Sequence, residues 1–145
     1  MNAKEYVTKE EVRQVCKNLG IRDWTKLTTE RVPAREAKII LEKVNVKKMP
    51  IELEDFRRGL EVELEHGIRF EDANVTNNHP ILTGMIVLAH LKESLDYYKH
   101  LEIAEIEGDM FKAIKSKNTG KLKKYYKKLC EAKKKLAMAE ARQLR

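Results

Sequence analysis

The sequence predicts an all-α protein, a compact multi-helix bundle with a long central helix and a basic C-terminal helix. Apolar residues recur at three- and four-residue steps in segment after segment, and no stretch alternates at the period of two that a half-buried strand shows. Only 6 Gly and 3 Pro occur in 145 residues, too few for a chain of tight β-turns. Charged residues make up 37%, as expected of helices with wet outer faces.

Each helix has its own signals. Thr8-Lys9-Glu10-Glu11 reads as a capping box, with Val12, Val15, Cys16 and Leu19 on one stripe and Gly20 as the stop. Asp23 to Leu27 reads as a short second helix carrying Trp24, the only tryptophan and a core candidate. Pro33 opens a third helix with Ala37, Ile40, Leu41 and Val44 on its stripe. A fourth is expected from Ile51 to His66, with Glu52, Glu54 and Asp55 at the positive end of its dipole, Phe56, Leu60 and Leu64 or Val62 inward, and Gly67 as the stop. After a long loop, Ile68 to Asn78, Pro80 opens the longest helix, to about Glu107. Gly108 and Lys117-Asn118-Thr119-Gly120 read as breaks. The last helix runs from about Lys121, with Leu122, Tyr125, Leu129, Ala132, Leu136 and Ala139 forming a stripe in need of a cover. The expected organisation is a three-helix subdomain over 1–49, a core helical pair over 50–117, and the basic amphipathic helix over 118–145.

Charge is uneven. The formal net charge is +7, yet 13 Lys or Arg fall between Lys112 and Arg145 against Glu131 and Glu140 alone, so residues 1–111 are mildly acidic. A basic segment on an acidic body suggests an anionic partner. Lys121, Lys123, Lys124, Lys127, Lys128, Lys133, Lys134 and Lys135 are the candidate nucleic-acid-binding residues, with Tyr125 and Tyr126 interleaved for stacking on bases. No zinc finger or RNA-recognition signature accompanies them, so RNA, DNA and a ribosome stay equal candidates, beside a merely solvated helix face and a homo-oligomer zipped through the apolar stripe.

Two short spacings point to other chemistry. Glu63-Leu64-Glu65-His66 ends one helix and His90-Leu91-Lys92-Glu93 lies in the next. Residues three apart share a helix face, so each pair presents one carboxylate and one imidazole in one direction. On antiparallel helices His66 levels with His90 and Glu63 with Glu93. Two imidazoles and two carboxylates suit a divalent metal, Zn, Fe or Mn. Glu61, Glu65 and Asp96 are further oxygen donors. His90, Glu93, Tyr97 and His100 step by three, four and three, which makes Tyr97, Asp96 and His100 candidates for orienting the ligands from behind. The bland alternatives stand beside this. His66 suits a helix C-terminus as a cation, His90 a buried core position, and Glu93 the role of its hydrogen-bond partner. Four ligands favour a single metal, or one shared across a dimer, over a di-metal centre. Nothing marks a substrate pocket, a phosphate loop or a nucleophile, so the sequence does not decide whether the chain is an enzyme. No apolar run approaches the ~18 residues of a membrane span. Cys16 and Cys130, far apart, are expected as free thiols in a reducing cytosol, and no signal segment is expected at the start.

The run Phe56-Arg57-Arg58-Gly59-Leu60-Glu61-Val62-Glu63-Leu64-Glu65-His66-Gly67, then Asn74-Val75-Thr76-Asn77, Gly84, Ala89-His90-Leu91-Lys92-Glu93, Asp96-Tyr97-Tyr98 and Leu101, resembles the microbial and viral family catalogued as domain of unknown function 5661. The resemblance covers about residues 50–107, more weakly the helices before it, and not the lysine-rich arm. It implies no activity. It does imply that the Glu63-His66 and His90-Glu93 blocks form the family's signature. An acidic residue often precedes the long helix in that pattern; here Asn78-His79 stand there and remove that oxygen donor.

Overall fold

The computed structural model describes residues 4–145. Among them six α-helices and two 3-10 turns carry the fold, and no strand occurs: α1 (Lys9–Leu19), α2 (Ala34–Val44), α3 (Leu53–Arg69), α4 (Pro80–Glu93), α5 (Tyr97–Lys115) and α6 (Thr119–Gln143), with 3-10 turns at Trp24–Lys26 and Glu71–Ala73. The chain divides into two compact units, one ending at Leu95 and one starting at Asp96. The segment 1–49, expected as a three-helix subdomain, lies in the same unit as α3 and α4. The reason is packing: α2 lies against both of those helices.

The first unit starts on the expected capping box. Thr8 Oγ1 accepts from the Glu11 amide at 3.2 Å, and the Glu11 carboxylate accepts from the Thr8 amide at 2.8 Å. Gly20, at φ 66°, ends α1 in the left-handed region that glycine enters without strain. Trp24 is fully buried in its 3-10 turn. Its indole N–H donates to Glu36 at 3.0 Å, and the Arg22 guanidinium and amide donate to the same carboxylate. Burial alone raises the Glu36 carboxyl, but these hydrogen bonds outweigh it and hold the group below the usual carboxylate range. Val12, Ile40, Phe56, Leu60, Leu64 and Val87 fill the core beneath.

Two glycines act through space. At Gly84 an added Cβ meets Ile40 Cγ2 at 2.6 Å, so α4 rests directly on α2. Gly67 does not end α3, which runs two residues further to Arg69. An added Cβ there meets Asn78 Oδ1 at 2.5 Å, so Gly67 admits the returning loop rather than stopping the helix. His79 caps α4, its Nδ1 accepting from the Ile81 and Leu82 amides at 3.2 and 3.3 Å, with Pro80 in the first turn.

The expected long helix is two. Ser94 turns extended (φ −155°, ψ 130°) and α4 ends, and α5 restarts at Tyr97 after Asp96. Gly108, expected as a break, lies inside α5. In the second unit, Asn118 Oδ1 accepts from the Lys121 amide at 3.0 Å and starts α6. α5 and α6 form a helical hairpin. Ile106, Leu129 and Ala132 make its buried centre, flanked by Ile103, Met110 and Tyr125. Gln143 Nε2, at the end of α6, donates to buried Asp96 at the start of α5. The stripe on α6 that called for a cover finds it in α5 at Leu129 and Ala132, and Leu136 and Ala139 of the same stripe are also buried.

Candidate functional site

The residues expected to hold a metal are drawn together only in part. Across the α3–α4 crossing, His90 Nε2 stands 3.7 Å from Glu63 Oε1. His66 is exposed and lines a cavity of about 210 Å³ with Glu63, Asn74, Asn78, Thr83 and Ile86. Glu93, at the last position of α4, is exposed and lines no such cavity. The level pairs expected of antiparallel helices, His66 with His90 and Glu63 with Glu93, are therefore not the ones that meet. The Phe56 ring already lies by Gly84, while His90, six residues on, meets Glu63, seven residues on. At these two contacts residue numbers rise along both helices, whereas in a side-by-side antiparallel pair they run in opposite senses. Among the described residues, no three His, Cys, Asp or Glu side chains gather about one point.

The supporting residues are placed elsewhere. Glu61 is buried and engaged, accepting from the Val32 amide at 3.1 Å and from Arg57 Nη1 at 2.6 Å. Glu65 is exposed. Asp96, Tyr97 and His100 begin the second unit, past the break at Ser94, so the single face expected to join them to His90 and Glu93 is interrupted. Within that unit Asp96 accepts from Gln143 and pairs with Lys99 Nζ at 3.3 Å.

The second candidate is the outer surface of α6. Lys121, Lys123, Lys124, Lys127, Lys128, Lys133, Lys134 and Lys135 are all exposed, and none forms an ion pair with another described residue. At 100° per residue, Lys123, Lys124, Lys127, Lys128, Lys134 and Lys135 fall within about 140° of arc, opposite and beside the buried Leu129–Ala132–Leu136 stripe. Tyr126 is exposed next to this arc, while Tyr125 packs inward and Lys128 lies 5.8 Å from its ring.

One feature escaped the sequence reading: a groove of about 450 Å³ between the end of α2 and the outer face of α4, lined among others by Val44, Val46, Met85 and Leu88 and rimmed by Lys43, Lys47 and Lys92. Its signal was present in α4, which is apolar on every side rather than on one stripe.

Comparison with known families places this architecture. The model of the family described as Protein of unknown function (DUF5661) matches residues 12–107. The chain belongs to this family. The match begins within α1, takes in α2 through α4 and ends about midway along α5, reaching well ahead of the stretch from about residue 50 that carried the resemblance. Helix α6 and its lysines lie beyond it. No curated protein and no solved structure matches the chain. Among the described residues, no helix is long and apolar enough to cross a membrane.

Proposed function

We propose that the chain is a nucleic-acid-binding module that engages the phosphate backbone through the outer face of α6. The observation that carries this reading is the set of eight exposed lysines on one helix with no carboxylate among the described residues paired to any of them. Each lysine that meets a phosphate releases a condensed counterion, which gives affinity without sequence preference. The predominance of Lys over Arg favours backbone contact over base readout, and exposed Tyr126 offers a face for an unpaired base. Binding of labelled single-stranded RNA, single-stranded DNA and duplex DNA across a salt series tests it. Affinity that does not fall as salt rises removes the reading. Charge-neutralising substitutions are a cleaner perturbation than deletion of α6, since deletion uncovers the apolar face of α5.

A second reading, a divalent-metal site for Zn, Fe or Mn, is favoured by the approach of His90 to Glu63. Donors at ~2.0–2.2 Å from a tetrahedral metal stand about 3.4 Å apart, close to the 3.7 Å between Nε2 and Oε1. His66, on the same helix face as Glu63 and lining the same cavity, is the candidate for a third ligand. Titration calorimetry with Zn²⁺ and with Mn²⁺ tests it. Binding at one equivalent that is lost in His90→Ala and weakened in His66→Ala supports the site, and equal heats for all three proteins remove it.

A further inference from the structure

The groove between α2 and α4 meets two physical conditions at once. Its base is apolar: Val44 and Leu88 are buried, while Met85 and Val46, 54% and 80% exposed, stand open to water along its walls. Exposed apolar side chains gathered in a concavity, rather than scattered singly, mark a surface shaped for something else. Its rim is cationic. Lys43, Lys47 and Lys92 line it with no carboxylate among the lining residues, and none of the three is ion-paired within the described chain. Glu42 and Glu93 adjoin these lysines in sequence but do not line the groove.

The groove is also preformed. Gly84 lets α4 settle against Ile40 and Val44, which fixes the distance between the two helices. The Asn45 side chain closes the turn after α2, donating to the Met49 carbonyl at 3.0 Å and accepting from the Met49 amide at 2.9 Å. Val46 and Lys47 are thereby held in a defined loop, so a ligand meets walls that need not be ordered on binding. A volume of about 450 Å³ lies within the range of small-molecule sites, ~300–1,000 Å³.

We propose that this groove binds a single-chain anionic amphiphile. The hydrocarbon chain lies along Val44, Ile81, Met85 and Leu88, and the carboxylate or phosphate head is held by Lys43, Lys47 and Lys92. An acyl chain removes Met85 from water, and the head neutralises three like charges that the body leaves unpaired. A cationic head of equal chain length meets repulsion at the same rim. This site is independent of the lysines on α6, since every residue lining it belongs to the unit that ends at Leu95.

Calorimetric titration of the full chain tests the proposal, with dodecanoate, dodecyl phosphate and dodecyltrimethylammonium, each below its micelle-forming concentration. The two anions separate a carboxylate preference from a phosphate preference, and either one satisfies the proposal. Expected results are anion binding at one equivalent, at least about tenfold tighter than the cation, and a loss of about tenfold when the chain is shortened by two methylenes. Met85→Glu, at an exposed position, abolishes binding, and Lys43→Gln/Lys47→Gln/Lys92→Gln weakens it at least about tenfold, with helical circular dichroism unchanged in both. Substituting Lys123, Lys127 and Lys134 by Gln leaves binding as it was. The proposal is overturned by equal binding of anion and cation, by no dependence on chain length, by indifference to both groove variants, or by loss of binding in the α6 variant.

Discussion

Three substitutions on one helix test the proposed function quantitatively. Lys123, Lys127 and Lys134 lie within about 40° of one another on the side of α6 opposite its buried stripe, and their replacement by Gln leaves the hairpin core untouched. Six lysines share the outer arc, which sets an upper bound of about six phosphate contacts. Each contact contributes about −0.9 to the slope of log K against log salt on duplex DNA, and about −0.7 on a single strand. The unmodified chain therefore has a slope of up to about −5 on duplex and about −4 on single strand, and loses about a thousandfold in duplex affinity between 50 and 200 mM salt. The triple variant keeps at most three contacts, so its duplex slope falls to about −3 and the same change in salt weakens it only about fortyfold. Fluorescence anisotropy with a labelled oligonucleotide reads both lines. A variant whose slope matches that of the unmodified protein refutes the assignment of this face, whatever its absolute affinity. A flat line for both proteins refutes nucleic-acid binding through α6 altogether.

Further expectations concern the frame that holds these surfaces. Gly84→Ala gains about 1 kcal/mol of helix propensity but drives a methyl against fully buried Ile40, an overpacking cost of about 1–3 kcal/mol, so the midpoint of urea unfolding falls or at best holds; a clear rise shows that α2 yields. Glu36→Ala strands the Trp24 indole N–H in the core and removes the partner of Arg22, which costs about 2–4 kcal/mol in denaturant unfolding followed by Trp24 fluorescence; a loss under about 1 kcal/mol says water replaces the carboxylate. Burial holds the His79 imidazole below its ordinary value of 6.5, and Nδ1 must stay unprotonated to accept from the α4 amides. The unfolded chain thus binds the extra proton first, so stability is full above about pH 6.5 and declines as pH falls below it, with Glu11 opposing the effect. His79→Asn keeps an acceptor that does not titrate, and unfolding curves of the two proteins at pH 5 and pH 8 are expected to differ in their pH dependence; identical dependence assigns the effect to another group.

What the sequence made legible divides along a physical line. The capping box at Thr8, the left-handed stop at Gly20, the core tryptophan, the break at Lys117-Asn118 and the lysine face of α6 each depend on a few consecutive residues and a helical period, so each is present in the structure as expected. Gly67 and Gly108 read as stops because glycine is cheap to place at a helix end. At Gly67, however, the use was to admit Asn78, a partner eleven residues away that no local pattern announces. The break at Ser94 is similarly silent: nothing in Lys92 to Asp96 forbids a helix, so helical spacing carried the expected face from His90 across to His100. The metal quartet required the most. Each half rested on i,i+3 geometry, which holds along α3 and along α4. Joining the halves required a crossing angle, and that is set by ridge-and-groove packing around Phe56, Ile40 and Gly84 rather than by the ligand residues themselves. A crossing that brings His90 to Glu63 leaves Glu93 past the contact and His66 at the cavity wall. A ligand role for His66 therefore needs a convergence of side chains from two helices, whereas the reach of six lysines to a phosphate chain depends only on α6 staying helical. That difference makes the basic face the stronger of the two functional readings.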